Sequence, residues 1–265
     1  MTSGDDVKAC CAATYSSDAV ALLLCDYHHP GGTALTRRLA DGLGLTPDHR
    51  VLDVASGRGT TVLLLADGYG CHGDGVDYAP ANTALVRDAA ARLGLTERVT
   101  FTTGDAEQLP FADGVFDAVL CECALCTFPD KTKAAAEFAR VLRPGGRVGI
   151  TDVTAIPDRL PPELIGLAAH IACVADARPL DEYAALPSAA GLRPLRAEHH
   201  DQAMTRMIDH LEARLNLLHL TSAPALTATG IDWKAAPPLL AAAHTAVTDG
   251  TLGYALLTAE KPHNP

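Results

Sequence analysis

The stretch Val51-Leu52-Asp53-Val54-Ala55-Ser56-Gly57-Arg58-Gly59-Thr60 runs an apolar, β-branched segment into a turn with two glycines and then into a helix-forming run. Glycines at such a turn let the backbone approach a ligand at the end of a strand. A G-x-G alone also fits nicotinamide sites and ordinary tight turns. The third glycine of G-x-G-x-x-G is missing here, so the neighbouring segments must decide. Working outward, short apolar or β-branched runs alternate with helical stretches. Strands are predicted at 50–54, 73–77, 99–103, 116–121 and 147–152. Helices are predicted at 60–67, 81–93 and 131–141, the last stopped by Pro144-Gly145-Gly146. That alternation predicts βαβ units and a parallel sheet.

Beyond Asp152 a Pro-rich turn at 157–162 precedes helices predicted at 163–175 and 180–190, a sixth strand at 192–198, and helices at 202–220 and 236–247. The apolar run 253–259 fits a last strand inserted antiparallel. Upstream, an apolar run at 18–25, a break at His29-Pro30-Gly31-Gly32 and an amphipathic run at 33–43 predict helices over the mouth of the main domain. The expected architecture is α/β, Rossmann-like, with a mostly parallel seven-stranded sheet. Residues 1–48 form an N-terminal helical cover, and residues 49–265 the main domain with a helical insertion at about 201–249.

Composition narrows the function classes. The 265 residues are 48% hydrophobic and 20% charged, without an apolar run of the roughly 18 to 20 residues needed to span a bilayer. The acidic, polar start Met1-Thr2-Ser3-Gly4-Asp5-Asp6 is unlike a secretory signal, so a cytoplasmic protein without a membrane partner is expected. A formal charge of −11 with no Lys/Arg cluster disfavours nucleic acid. Nothing in the sequence sets the oligomeric state. Eight cysteines are many for such a chain. In a reducing compartment they stay mostly as thiols, and Cys123-x-x-Cys126 lacks the second pair of a zinc ribbon.

Two acidic residues follow the Gly turn in order. Asp77 ends the second strand in Gly75-Val76-Asp77-Tyr78, where a carboxylate can accept hydrogen bonds from ribose hydroxyls. Asp105 follows the third strand in Thr103-Gly104-Asp105-Ala106-Glu107, and Leu109-Pro110-Phe111 leads on to Phe116-Asp117-Ala118-Val119. Across roughly residues 48–152 this series resembles the class I S-adenosylmethionine (SAM)-dependent methyltransferases. A dehydrogenase gives Asp105-Ala106 and Arg143-Pro144-Gly145-Gly146 no role. The resemblance implies SAM as cofactor, with the Gly turn under its methionine part, Asp77 on the ribose and Asp105-Ala106 beside the adenine. It places Asp53, Ala55, Ser56, Gly57, Gly59, Asp77, Tyr78, Asp105, Ala106 and Cys121 at the cofactor.

The segment Glu122-Cys123-Ala124-Leu125-Cys126-Thr127-Phe128-Pro129-Asp130-Lys131 resembles the N-C-V-I-N-L-x-P-D-K stretch of the arsenite methyltransferases. Aligned without gaps, Cys123 falls on a metalloid-binding cysteine. Cys173-Val174-Ala175-Asp176-Ala177 resembles the subfamily's C-L-G-G-A stretch. Trivalent arsenic is soft and thiophilic, and thiolates hold such centres. The resemblance therefore implies a soft acceptor held by Cys123 and Cys173. A third ligand comes from the N-terminal region, with Cys10 or Cys11 favoured over Cys25. Such a transfer needs no general base. The cysteine-rich tail of longer arsenite enzymes is missing, which leaves a small thiol, selenol or mercury compound open. The alternative is an ordinary small-molecule O-, N- or C-methyltransferase, in which His28 or His29 faces the acceptor and removes its proton. Cys25, Cys71 and Cys121 read as buried small apolar residues.

Overall fold

A computed structural model describes residues 8–9, 12–13, 29–165, 174, 176–221 and 236–263. Before the sheet, helix α1 (Gly32–Leu43) repeats apolar residues every three or four positions and turns Leu35, Leu39, Ala40 and Leu43 inward. Strand β1 (Arg50–Val54) follows, then α2 (Thr60–Tyr69), β2 (His72–Asp77), α3 (Pro80–Leu93), β3 (Val99–Thr103) and β4 (Phe116–Glu122). Next come α4 (Lys131–Val141), β5 (Leu142–Ala155), α5 (Leu180–Ala189), β6 (Arg193–His199), α6 (Asp201–Thr221), α7 (Ala236–Thr248) and β7 (Leu252–Glu260).

The strands form one sheet in the order β3-β2-β1-β4-β5-β7-β6. The first five run parallel, and β7 lies antiparallel between β5 and β6, as the apolar run 253–259 predicts. Strands β1, β4 and β7 are buried on both faces, which is why they read as nearly continuous apolar runs. On one face Leu35, Leu39 and Leu43 of α1 pack with Val51, Leu120, Val153 and Leu256. On the other, Phe138 and Tyr183 pack with Leu52, Val119 and Ile150. Each such aliphatic or aromatic side chain contributes about 1.5–3 kcal/mol through burial. Through α1, the predicted N-terminal cover supplies part of the main core.

Two expectations change. Pro144-Gly145-Gly146 does not separate α4 from the next strand. Leu142 already pairs with Phe116, the chain bulges, and pairing resumes at Arg147 opposite Ala118. The bulge is held from the far end of β7, where Gly145 N donates to Lys261 O and Lys261 N to Gly146 O. Within the helix predicted at 163–175, Pro162–Leu164 forms a single 3₁₀ turn and Ile165 is extended, which ends it. Residues 166–173, like the predicted helix at 18–25, lie outside the described residues.

The chain leaves β1 toward β2 on one side and places β4 on the other, so strand order reverses between β1 and β4. In open α/β sheets, ligands bind beyond the carboxyl ends of the strands at such a switch point. Asp53, near the end of β1, and Glu122, the last residue of β4, flank it.

Candidate active site

A cavity of about 1340 Å³, open mouth included, lies over this switch point.

The turn after β1 builds one half. Ser56 N donates to Val76 O, and Gly59 N donates back to Ser56 O. This tight path needs positive φ at Ala55 (57°), Gly57 (52°) and Gly59 (73°). The two glycines serve different ends. A Cβ on Gly57 would meet nothing within 4 Å, so that backbone is bare toward the cavity. A Cβ on Gly59 would collide with Val86 of α3. Asp77 locks the turn, with Oδ2 accepting from Gly57 N at 2.8 Å and Oδ1 from Ala79 N (2.8 Å) and Asn82 Nδ2 (3.0 Å). A carboxylate has about four acceptor positions, so Asp77 keeps capacity for a ligand hydroxyl.

Asp53 is 3% exposed, and its Oδ2 has no hydrogen-bond partner. Burial, then the negative charges of Glu122 and Asp77, push its carboxyl well above the ordinary carboxylate range, against one bond from the Val62 backbone. An unpartnered buried acceptor on a cavity wall calls for a donor, best a cationic one. At the far end, Asp105 Oδ1 accepts from Glu107 N at 2.9 Å.

The other half of the cavity is assembled from distant segments. Glu122, with a side chain only 4% exposed, accepts from Thr61 Oγ1 at 2.7 Å, and Thr36 Oγ1 lies 3.2 Å from both its oxygens. His29 Nε2 is 3.1 Å from Thr36 Oγ1 and 3.7 Å from Glu122 Oε1. His29 Nδ1 faces the Pro30 carbonyl at 3.1 Å. A carbonyl only accepts, so Nδ1 carries a hydrogen, and in the tautomer with that hydrogen alone the lone pair is on Nε2. The single Thr36 hydroxyl hydrogen can point to His29 Nε2 or to Glu122, one at a time.

The structure places the sequence-predicted residues unevenly. Asp53, Ala55, Ser56, Gly57, Asp77, Tyr78, Asp105 and Ala106 all line the cavity, while Gly59 sits behind it as the packing point for α3. The side chain of Cys121 is fully buried on the opposite face of the sheet, among Val54, Leu125 and Phe138, and does not reach the cavity. Alternation along β4 explains the correction, because Glu122 and Cys121 must point to opposite faces. Cys71 is fully buried as predicted, and its Sγ donates to Leu65 O. Cys126 is also in the core, with its backbone N bound to Asp152 Oδ2. Among the described cysteines Cys123 alone lines the cavity, in a left-handed conformation (φ 53°) with its N donating to Thr151 O at 2.7 Å. Cys10, Cys11, Cys25, Cys173 and His28 lie outside the described residues.

Sequence reasoning missed Glu122, Thr36 and Thr61. Glu122 had a signal, since an acid closing a parallel strand repeats the pattern of Asp53 and Asp77. Lys131 went unnoticed as an anchor. It is buried, donates to the carbonyls of Cys126 and Phe128, and pairs with Asp176, tying the segment after β4 to the chain after Val174.

Comparison with known proteins agrees with this geometry. A family model described as "Methyltransferase domain" matches residues 52–150. The chain is 31% identical to 27-O-demethylrifamycin SV methyltransferase of Amycolatopsis mediterranei, over 87% of this chain and 84% of that one. It is 33% identical to an arsenite methyltransferase of Halobacterium salinarum, over 65% of this chain and 44% of that one. The crystal structure of the [4+2]-cyclase SpnF superposes with a TM-score of 0.65 at 26% identity, covering 87% of this chain and 80% of that one. Apart from the rifamycin enzyme, the chain spans between 48% and 59% of the first curated relatives it matches.

The chain belongs to the class I SAM-dependent methyltransferases. The cofactor of that family is S-adenosyl-L-methionine, and the cavity fits it. Asp53 Oδ2 is an acceptor awaiting a cationic donor, and Gly57 leaves backbone bare to the ligand. Asp53, Asp77 and Asp105 bring three carboxylates to the same described wall as Lys8 and Arg58, which suits a ligand bearing sulfonium and ammonium charges. Among the described residues no helix is long and apolar enough to cross a membrane, and no group of three or more His, Cys, Asp or Glu could hold a metal ion.

Proposed function

We propose that this chain transfers a methyl group from SAM to a hydroxyl oxygen of a small organic acceptor, with His29 and Glu122 taking up the proton. The observation that carries this reading is the buried His29–Thr36–Glu122–Thr61 cluster on the cavity wall. SAM when bound supplies an electrophilic methyl on a sulfonium sulfur. Asp53 and the Ala55–Gly57 turn hold the methionyl end, Asp77 the ribose and Asp105-Ala106 the adenine. Tyr78 and Gly59 shape that half from its edge and from behind. As the acceptor oxygen gains its new bond to carbon, its proton passes to His29 Nε2, or through the Thr36 hydroxyl to Glu122. Base catalysis of this kind contributes about 10²–10⁴-fold. The similarity to an enzyme whose name specifies an O-demethylated substrate supports an organic acceptor.

One observation favours a second reading. Cys123 lines the cavity, and the chain is similar to an arsenite methyltransferase. In that reading the acceptor is soft, trivalent arsenic above all, or a thiol, selenol or mercury compound. Cys123, Cys173 and Cys10 or Cys11 are its thiolate ligands, and no base is needed.

The two readings part in a single experiment. SAM is incubated with a panel of hydroxylated aromatic and macrocyclic compounds and, separately, with arsenite. Products and S-adenosylhomocysteine (SAH) are followed by mass spectrometry. The oxygen reading expects methyl ethers, a loss of about 10²–10³-fold in kcat for Glu122→Gln or His29→Gln, and less than threefold change for Cys123→Ser. Methylated arsenicals that vanish with Cys123→Ser, together with full activity in Glu122→Gln, would replace it with the thiolate reading.

A further inference from the structure

We propose that Lys8 is a cofactor-positioning residue, which closes one wall at the adenine end of the cavity by pairing with Asp105 and Glu107. The inference rests on the cofactor half of the proposed function and adds a residue to it.

Lys8 Nζ lies 2.8 Å from Asp105 Oδ2 and 2.7 Å from Glu107 Oε2, and the partners are 97 and 99 residues away in sequence. Its side chain is only 10% exposed, as is that of Glu107. Lys8 and Ala12, one helical turn apart, both line the cavity, opposite Gly104, Asp105 and Ala106. Lys8 and Ala12 therefore form part of one wall of the adenine end, and these two ion pairs anchor Lys8 there. Burial opposes the lysine's charge, but the bonds to Asp105 and Glu107 outweigh it and raise the pKa, so the ammonium stays charged in its recess.

Glu107 carries the tie further. Its Oε1 accepts from Asp130 N at 2.9 Å, and Asp130 in turn caps α4 by accepting from Lys133 N. One buried carboxylate thus joins the N-terminal wall, the loop after β3 and the end of the segment that starts at Glu122 and Cys123. An arrangement that ties three walls of a cavity lowers the cost of ordering them when a ligand binds.

A competing role is open to the same lysine. By occupying Asp105, it could block the adenine amine and hold the cofactor off. The two roles predict opposite signs. Full-length protein is titrated calorimetrically with SAH and with SAM at 50 and 300 mM salt. For Lys8→Met we expect both affinities to fall about tenfold at both salt concentrations, because so buried an ion pair is screened only weakly. Lys8→Arg should restore most of the loss. Glu107→Gln, which keeps an acceptor for Asp130 N, should lose less than Lys8→Met. With an acceptor, the KM for SAM should rise while kcat stays within twofold. Unchanged SAH affinity in Lys8→Met would overturn the proposal, and tighter binding would replace it with the blocking role. Failure of the wild-type protein to bind SAH would instead remove the cofactor reading on which it rests. Matching melting temperatures without ligand separate a binding effect from misfolding.

Discussion

The two halves of the cavity are built in different ways. The half proposed for the cofactor is local: one turn of five residues, locked by Asp77 twenty residues on, presents a bare backbone and a carboxylate. The acceptor half is collected from the start of α1, the start of α2 and the end of β4, with Thr36 and Thr61 bound to a Glu122 that lies 86 and 61 residues away. A local site leaves a contiguous signature that many relatives can share while differing in acceptor. An assembled site changes with single substitutions on separate elements. This is a physical reason why one fold serves many substrates.

The comparison can be broken at several points. The largest effect should come from Asp77→Ala, which removes the acceptor of three hydrogen bonds and leaves the Gly57 and Ala79 amides without it. The bond to a ribose hydroxyl lost with the carboxylate is worth roughly 1.5–3 kcal/mol and the loosened turn adds to it, so SAH affinity should fall by about 100-fold in a calorimetric titration. If it does not, the local half is not the cofactor half.

The glycine pair sharpens the same point. Gly59→Ala forces a Cβ into Val86 at positive φ and should cost about 2–4 kcal/mol in urea denaturation. Gly57→Ala meets no atom, so its stability cost should stay near 1 kcal/mol, while the new methyl enters the cavity and weakens SAH binding. Equal stability losses would mean that both glycines serve packing alone.

Asp53 links the halves through charge. Its folded pKa is raised, so the ligand-free protein loses stability as pH climbs from the ordinary carboxylate range toward the raised value. Asp53→Asn removes that loss. The variant should melt a few degrees higher than wild type without ligand at pH 8, the gap closing near pH 4, and should bind SAM more weakly. The smallest effect, under threefold in turnover, belongs to Cys123→Ser if oxygen is the acceptor.

The same contrast explains what the sequence made legible. The bounds of β1, β3 and α4 follow from local signals: β-branched runs, the Asp130 cap and the Gly turns. The β5 bulge was hidden, because Pro144-Gly145-Gly146 reads as a chain break unless Lys261 is known to bond across it. Asp77 and Asp105 were legible as acids following strands in a fixed order, and Asp53 through the family resemblance. Glu122 obeys the same rule and was overlooked beside Cys121, Cys123 and Cys126, of which Cys123, together with Cys173, drew the reading toward soft chemistry. Two of those cysteines, Cys121 and Cys126, are core residues. Strand alternation alone separates Cys121 from Glu122, so a face assignment for β4 would have recovered the acid. Thr36, Thr61 and Lys8 carried no sequence signal, since their roles exist only once distant segments meet.

The division of the cavity is tested most directly by titrating SAH into the wild-type and Glu122→Gln proteins under identical conditions. Glu122 stands beside Asp53, yet by this account it works on the acceptor, so the two Kd values should agree within about threefold. A loss of more than tenfold in Glu122→Gln would make Glu122 a cofactor ligand and dissolve the boundary between the halves.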